Sequence, residues 1–254
     1  MKLKIKCLII CFLFSATAVF AQTEYGAYLK IDYLNIDLAE HHEFLDDITG
    51  NLANLKERRI ENGEIQAWYF YIVVYPGQQA TPYNYVSVTV SDDLDAFDYH
   101  KKDRDDHLIE ESIENKYGIS RSEMWRVRNS VHSSNLESPS TYAMMDYMNV
   151  NLGREFEYQM LEDEIARPLH ETRMENDIMD AWEMYELLFP GGLSYGYNFL
   201  TGNFFSELQH LEFGFNEELI ISQHPETNVM EFFEMIWSTR DLVQSEIWRL
   251  KAYR

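Results

Sequence analysis

Residues 28–37, Tyr-Leu-Lys-Ile-Asp-Tyr-Leu-Asn-Ile-Asp, alternate apolar with polar positions, and a two-residue period predicts a β-strand. From Glu40 to Ile60 the apolar residues Leu45, Ile48, Leu52 and Leu55 recur at three- and four-residue steps, which predicts a helix with one buried face. Two aromatic and β-branched runs follow, 65–75 and 83–91, joined around Pro76-Gly77 as a hairpin. The first run sets Trp68, Phe70, Ile72 and Val74 on one side and Tyr69, Tyr71, Val73 and Tyr75 on the other. Residues 93–116 are polar and helix-compatible, with a solvated acidic cluster from Asp103 to Asp106, and a closing strand is expected at 122–128.

The same series then returns. Residues 28–97 fall on 142–211 after a shift of 114 positions, with 19 of 70 identical. Tyr28, Asp32, Tyr33 and Asn35 recur as Tyr142, Asp146, Tyr147 and Asn149; Trp68, Tyr71, Tyr83 and Asn84 recur as Trp182, Tyr185, Tyr197 and Asn198. The second helix carries Tyr158, Leu161, Ile165 and Leu169, and Pro168 predicts a kink or break that the first copy lacks. The second hairpin, 179–189 and 197–204, turns around Pro190-Gly191-Gly192. Ser122-Glu123-Met124-Trp125-Arg126 recurs as Ser245-Glu246-Ile247-Trp248-Arg249, displaced by 123, so the second copy holds nine more residues. Met230, Phe233 and Trp237 suggest an extra helix there, 228–240.

A period this long is a repeated domain, not a solenoid unit. Each copy reads strand, helix, strand, strand, helix, strand, so the expected class is α+β with two ferredoxin-like repeats, 22–131 and 141–254, joined by a linker at 132–140. Both faces of the second strand are apolar or aromatic. Two such sheets packed face to face would bury them, giving an intramolecular pseudo-twofold α+β barrel and favouring a monomer.

Residues 1–21 hold Lys2, Lys4 and Lys6, an apolar run from Cys7 to Phe20, and small residues before Gln22; they read as a secretory signal, with a periplasmic or secreted product. The run is shorter than the roughly 20 residues of a spanning helix, so no membrane insertion is expected. Both cysteines, Cys7 and Cys11, leave with it, which removes disulfides and thiolate chemistry from the mature chain. The full chain carries a net charge of −22, and losing three lysines makes it more negative, which argues against nucleic acid or anionic lipid as partners.

Asp32 and Asp146 share strand faces with Leu34 and Met148, beneath the helices, where a carboxylate needs a partner or a raised pKa. The expected partner is Arg59 or Arg126, with Arg173 or Arg249 in the second copy; the alternative role is general base. Tyr33, Asn35, Tyr147 and Asn149 lie on the opposite face, pointing into the barrel, where the tyrosines can bond a ligand or one another. Trp68, Trp125, Trp182 and Trp248 read as core, and Glu57, Arg59 and Glu61 as solvated pairs at a helix end. Adjacent His41 and His42 diverge on a helix, so no metal site is expected. No glycine-rich phosphate loop, nucleophile elbow or His-Glu-x-x-His is present.

The order of elements, the length of the unit and the opening Tyr28-Leu-Lys-Ile-Asp-Tyr-Leu-Asn-Ile36 resemble the dimeric α+β barrel superfamily, which includes antibiotic-biosynthesis monooxygenases, haem-degrading, stress-responsive and NIPSNAP-type families. In haem-degrading members an asparagine, a tryptophan and a histidine line a cleft between sheet and helices. The resemblance places these near Asp32, Val90 and His107, with Ile221 where the second copy would carry the histidine. Two of the three depart from the pattern, so no cofactor is expected, with haem as the alternative. The leading expectation is an exported protein binding a small, largely apolar ligand, with Tyr33, Asn35, Tyr71, Asp146, Tyr147, Asn149 and Tyr185 as its contacts. The alternatives are a cofactor-independent monooxygenase or haem-handling enzyme working through Asp32, His107 and Tyr33, and an envelope module that acts through protein contacts.

Overall fold

The structure is a computed structural model; it describes Thr23 and residues 25–76, 82–98, 104–192, 194–226 and 228–254, with backbone alone for 104–107. Residues 1–21, which the sequence reads as a secretory signal, Gly77, Asp103 and the side chain of His107 lie outside the described residues.

Alternation makes the strands, and their pairing makes the shell. Strands β1 (Tyr28–Leu34), β2 (Ala67–Tyr75), β3 (Tyr85–Ser91) and β4 (Arg121–His132) pair in the order β4-β1-β3-β2. Strands β5 (Tyr142–Val150), β6 (Ala181–Phe189), β7 (Phe199–Phe205) and β8 (Arg240–Tyr253) pair as β8-β5-β7-β6. Because β2 bonds to β8 and β4 to β6, the eight antiparallel strands close into one barrel. The two sheets expected to pack face to face are therefore one sheet joined at both edges, and closure leaves no unpaired strand edge.

Helices cover the outside. In the first half these are α1 (His41–Asp47), α2 (Ala53–Glu61) and α3 (Arg104–Tyr117); in the second, α4 (Glu155–Leu161), α5 (Arg167–Glu175), α6 (Glu217–Gln223) and α7 (Val229–Thr239). A π-helical turn, Ile48–Leu52, joins α1 to α2, and another, Glu162–Ala166, joins α4 to α5 at the matching place. The irregularity expected only in the second copy is thus present in both, and Pro168 is not its cause. Pro168 lies at the start of α5, directly after the π turn. The buried residues Phe44, Ile48 and Leu52 are spaced by four, a step that drifts around an α-helix; the wider turn brings Leu52 and Leu55 back onto the sheet.

Side chains divide as the pleat requires. Tyr71, Trp125, Trp248, Val88 and Met145 fill the barrel, while Trp68, Phe70, Phe44 and Leu55 pack beneath the first-half helices. Trp182, Met184, Phe199 and Tyr158 do the same in the second half. All four strand tryptophans are at most 1% exposed.

Candidate functional site

The barrel is not filled along its whole length. At one end lies a cavity of about 260 Å³, walled by Leu29, Ile31, Val88, Val90, Met145 and Trp248. Residues 136–140 of the linker, with Thr23, lie across it, so the segment expected only to connect the halves also covers a cavity. Tyr69, Tyr71, Tyr185, His132 and Glu183 supply its polar groups.

A break in strand register puts His132 there. Val127 faces Tyr185 across β4 and β6, but the next partners are Asn129 and Met184, so Arg128 is an extra residue and the alternation of β4 inverts beyond it. Asn129 and Val131 then turn toward the second-half helices, and His132 turns inward. Its Nε2 sits 3.3 Å from Glu183 Oε1 without an aligned hydrogen bond, leaving that buried nitrogen without a partner. Tyr185 donates to the other oxygen of Glu183. Burial, then the charge of Glu183, pushes the Tyr69 and Tyr185 hydroxyls well above their usual range, so both stay protonated donors. The first-half counterpart of Glu183 is Tyr69, so this acidic corner exists on one side only.

The other end of the barrel is closed by polar groups that satisfy one another. Glu123, 1% exposed, accepts from Tyr33 (2.8 Å), Trp125 (3.1 Å), Tyr195 (2.5 Å) and Tyr197 (2.5 Å), and Arg121 Nε lies 3.1 Å away. The Arg121 guanidinium also stacks over the Tyr33 ring at 4.1 Å. Glu246 accepts from Tyr83 (2.6 Å), Trp248 (2.8 Å) and Gln244. Burial raises its pKa against those three donors. Tyr33 and Tyr147 meet at 3.1 Å, hydroxyl to hydroxyl. Trp248 spans the two ends: its ring lines the cavity and its N–H serves Glu246.

Of the residues expected to contact a ligand, Tyr71 and Tyr185 line the cavity. Tyr33 and Tyr147 point into the barrel but belong to the closed end, and Asn35 and Asn149 are exposed at strand ends. Asp32 and Asp146 face the helices. Asp32 pairs with Lys30 at 3.1 Å and accepts from Ser122; Asp146 accepts from Ser245 and from Asn203 at 3.3 Å. Neither forms the expected arginine pair, because Arg59 is engaged elsewhere and Arg126 lies over Tyr28. Asp32 and Tyr33 also cannot serve one catalytic site, since neighbours on a strand face opposite sides. Glu183, His132, Glu123, Glu246 and Arg121 went unread as site residues. For Glu183, Glu123 and Glu246 the signal was an acid at an inward strand position beside an aromatic residue on the same strand face.

Two clefts lie between sheet and helices. In the first half about 40 Å³ remains beside Lys56, Arg59 and Glu110. Lys56 Nζ is 2.7 Å from Glu110, and Arg59, 2% exposed, bonds Glu110 at 3.3 Å, Glu64 at 3.1 Å and the Ala96 carbonyl at 2.7 Å. Arg59 is therefore a buried hub, not part of a solvated helix end. The second-half cleft holds about 140 Å³. Among the described residues no group of three side chains could hold a metal ion.

No protein-family model matches the chain, and no curated relative matches it. Solved structures do share its fold. A candidate monooxygenase from Lactobacillus acidophilus aligns over 90% of this chain and 95% of its own at TM-score 0.52 and 12% identity. A heme-binding protein from Thermus thermophilus aligns over 91% and 93% at 0.53 and 13%, and a variant of the chlorite dismutase of Candidatus Nitrospira defluvii over 91% and 93% at 0.53 and 8%. Identities this low define a shared α+β barrel architecture and nothing finer. The two clefts hold about 40 and 140 Å³ and no described histidine lines either one; the side chain of His107, the candidate haem ligand, lies outside the described residues. No described helix is long and apolar enough to cross a membrane.

Proposed function

We propose that this is an exported binding protein that holds a small, largely apolar molecule inside the barrel. The observation that carries the reading is the cavity: apolar walls, one hydrogen-bonding corner made by His132, Glu183 and Tyr185, and a cover formed by the linker. A cavity of about 150 Å³ accommodates one benzene ring, so the 260 Å³ here suits a molecule of about two fused rings. Its single polar group would meet the unpartnered His132 nitrogen and the Glu183 carboxylate. We read the barrel as an internal pseudo-dimer of two ferredoxin-like repeats. On that reading Glu183 replacing Tyr69 gives the shared cavity one polar side and one orientation for its ligand.

Native mass spectrometry of residues 22–254 from an exporting host tests the reading. Retained mass that is lost on denaturation and absent from Ala143→Leu, which fills the cavity, is the expected result. Titration with 2-naphthol gives the same comparison without a resident ligand: one site in wild type, weakened about tenfold or more in Ala143→Leu. Equal binding by both proteins would remove the barrel as the site.

A further inference from the structure

The cleft between α4 and α7 holds an arginine and a tyrosine, each with a buried polar atom that makes no aligned hydrogen bond. Tyr158 is 2% exposed; its hydroxyl lies close to Glu162 but makes no aligned hydrogen bond, and Arg240 buries its Nε without a partner. Both line the 140 Å³ cleft, whose apolar wall includes Phe215, Phe232, Phe233 and Trp237 with Leu161 and Ile236. Glu162 also lines it, and Asp146 lies near enough for Arg240 to act on its charge, but neither forms an ion pair with Arg240. A buried N–H without a hydrogen-bond partner costs free energy unless something answers it.

We propose that this cleft is a second ligand site, selective for a small aromatic carboxylate: Arg240 and Tyr158 take the carboxylate, and the ring packs against Phe232 and Phe233. A space of about 140 Å³ matches the roughly 150 Å³ known to hold one benzene ring, which sets the ligand's size. Guanidinium and phenol donate more strongly to the two charged oxygens of a carboxylate than to the single neutral oxygen of an amide. Burial raises the pKa of Glu162 and of Asp146 against the opposing pull of the Arg240 charge on each. In the first half Phe44 and Ile48, both buried and apolar, stand where Tyr158 and Glu162 stand in the second, so the described residues there offer a carboxylate no such hydroxyl.

The test is calorimetric titration of the folded mature chain with benzoate and, in parallel, with benzamide. Wild type should bind one benzoate per chain and bind benzamide about tenfold more weakly or worse. Arg240→Gln should weaken benzoate about tenfold or more, Tyr158→Phe several-fold, and Glu183→Gln in the barrel cavity should leave it unchanged. Circular dichroism confirms folding of each variant; if Arg240→Gln does not fold, Tyr158→Phe decides. No benzoate binding by wild type, equal binding of benzamide, or indifference to both cleft substitutions would overturn the proposal.

Discussion

Lys56 and Arg59 in the first half and His170 and Arg173 in the second occupy matching positions on the helix that follows the π turn, and their surroundings have gone opposite ways. In the first half two buried cations share Glu110, and Glu64 completes the set. In the second, Glu64 has become Ile178, and helices α6 and α7 stand where α3 supplies Glu110. His170 instead stacks on Trp182 at 5.0 Å, and Arg173 lies over Phe205 and Phe215 with its Nε unpartnered. One interface is held by compensated charge and is closed. The other has exchanged that charge for aromatic packing and keeps open space beside it.

The sharpest break of the comparison is Glu110→Gln. It strips two buried cations of their common acid, and a loss of about 3–5 kcal/mol is expected in urea unfolding. Arg59→Met and Arg173→Met form the next pair. The first should cost about 2 kcal/mol or more because Glu110 loses one of its donors. The second should lie within about 1 kcal/mol of wild type or above it, since it removes a cation that no described acid answers. Equal losses for the two would mean that Arg173 has a partner as strong as that of Arg59. The smallest effect concerns pH. Burial, then Arg173, holds His170 well below its usual pKa of 6.5, so the unfolded chain takes up this proton first. The stability His170 contributes is present above 6.5 and lost as pH falls toward its depressed value. His170→Phe should flatten the unfolding free energy on the acid side, a change that Lys56→Met should not reproduce.

The outer architecture was legible because strand pleat and helix period are written directly in residue type. Trp68 and Tyr69 were assigned to opposite faces and lie on opposite faces, and the helix 228–240 appears as α7 within a residue. What was not legible depends on register and on contacts between distant segments. The bulge at Arg128 turns His132 inward, and no property of Arg128 itself announces an extra residue. The π turns were hidden because a four-residue apolar step reads as an ordinary helix until its drift is followed. Asp32 was paired with arginine on residue type alone, while Lys30, two positions away on the same face, was nearer. Glu183 could have been found: in Ala181-Trp-Glu-Met-Tyr it is an acid at an inward position shared with Tyr185.

The barrel interior, not a cleft under the helices, is the proposed principal binding site. A crystal structure of the mature protein grown with 2-naphthol tests this directly. The account predicts electron density for the two rings between Val90, Met145 and Trp248, with the hydroxyl at Glu183 and His132. Density confined to the cleft beside α7, with a water-filled or collapsed barrel cavity, would contradict it.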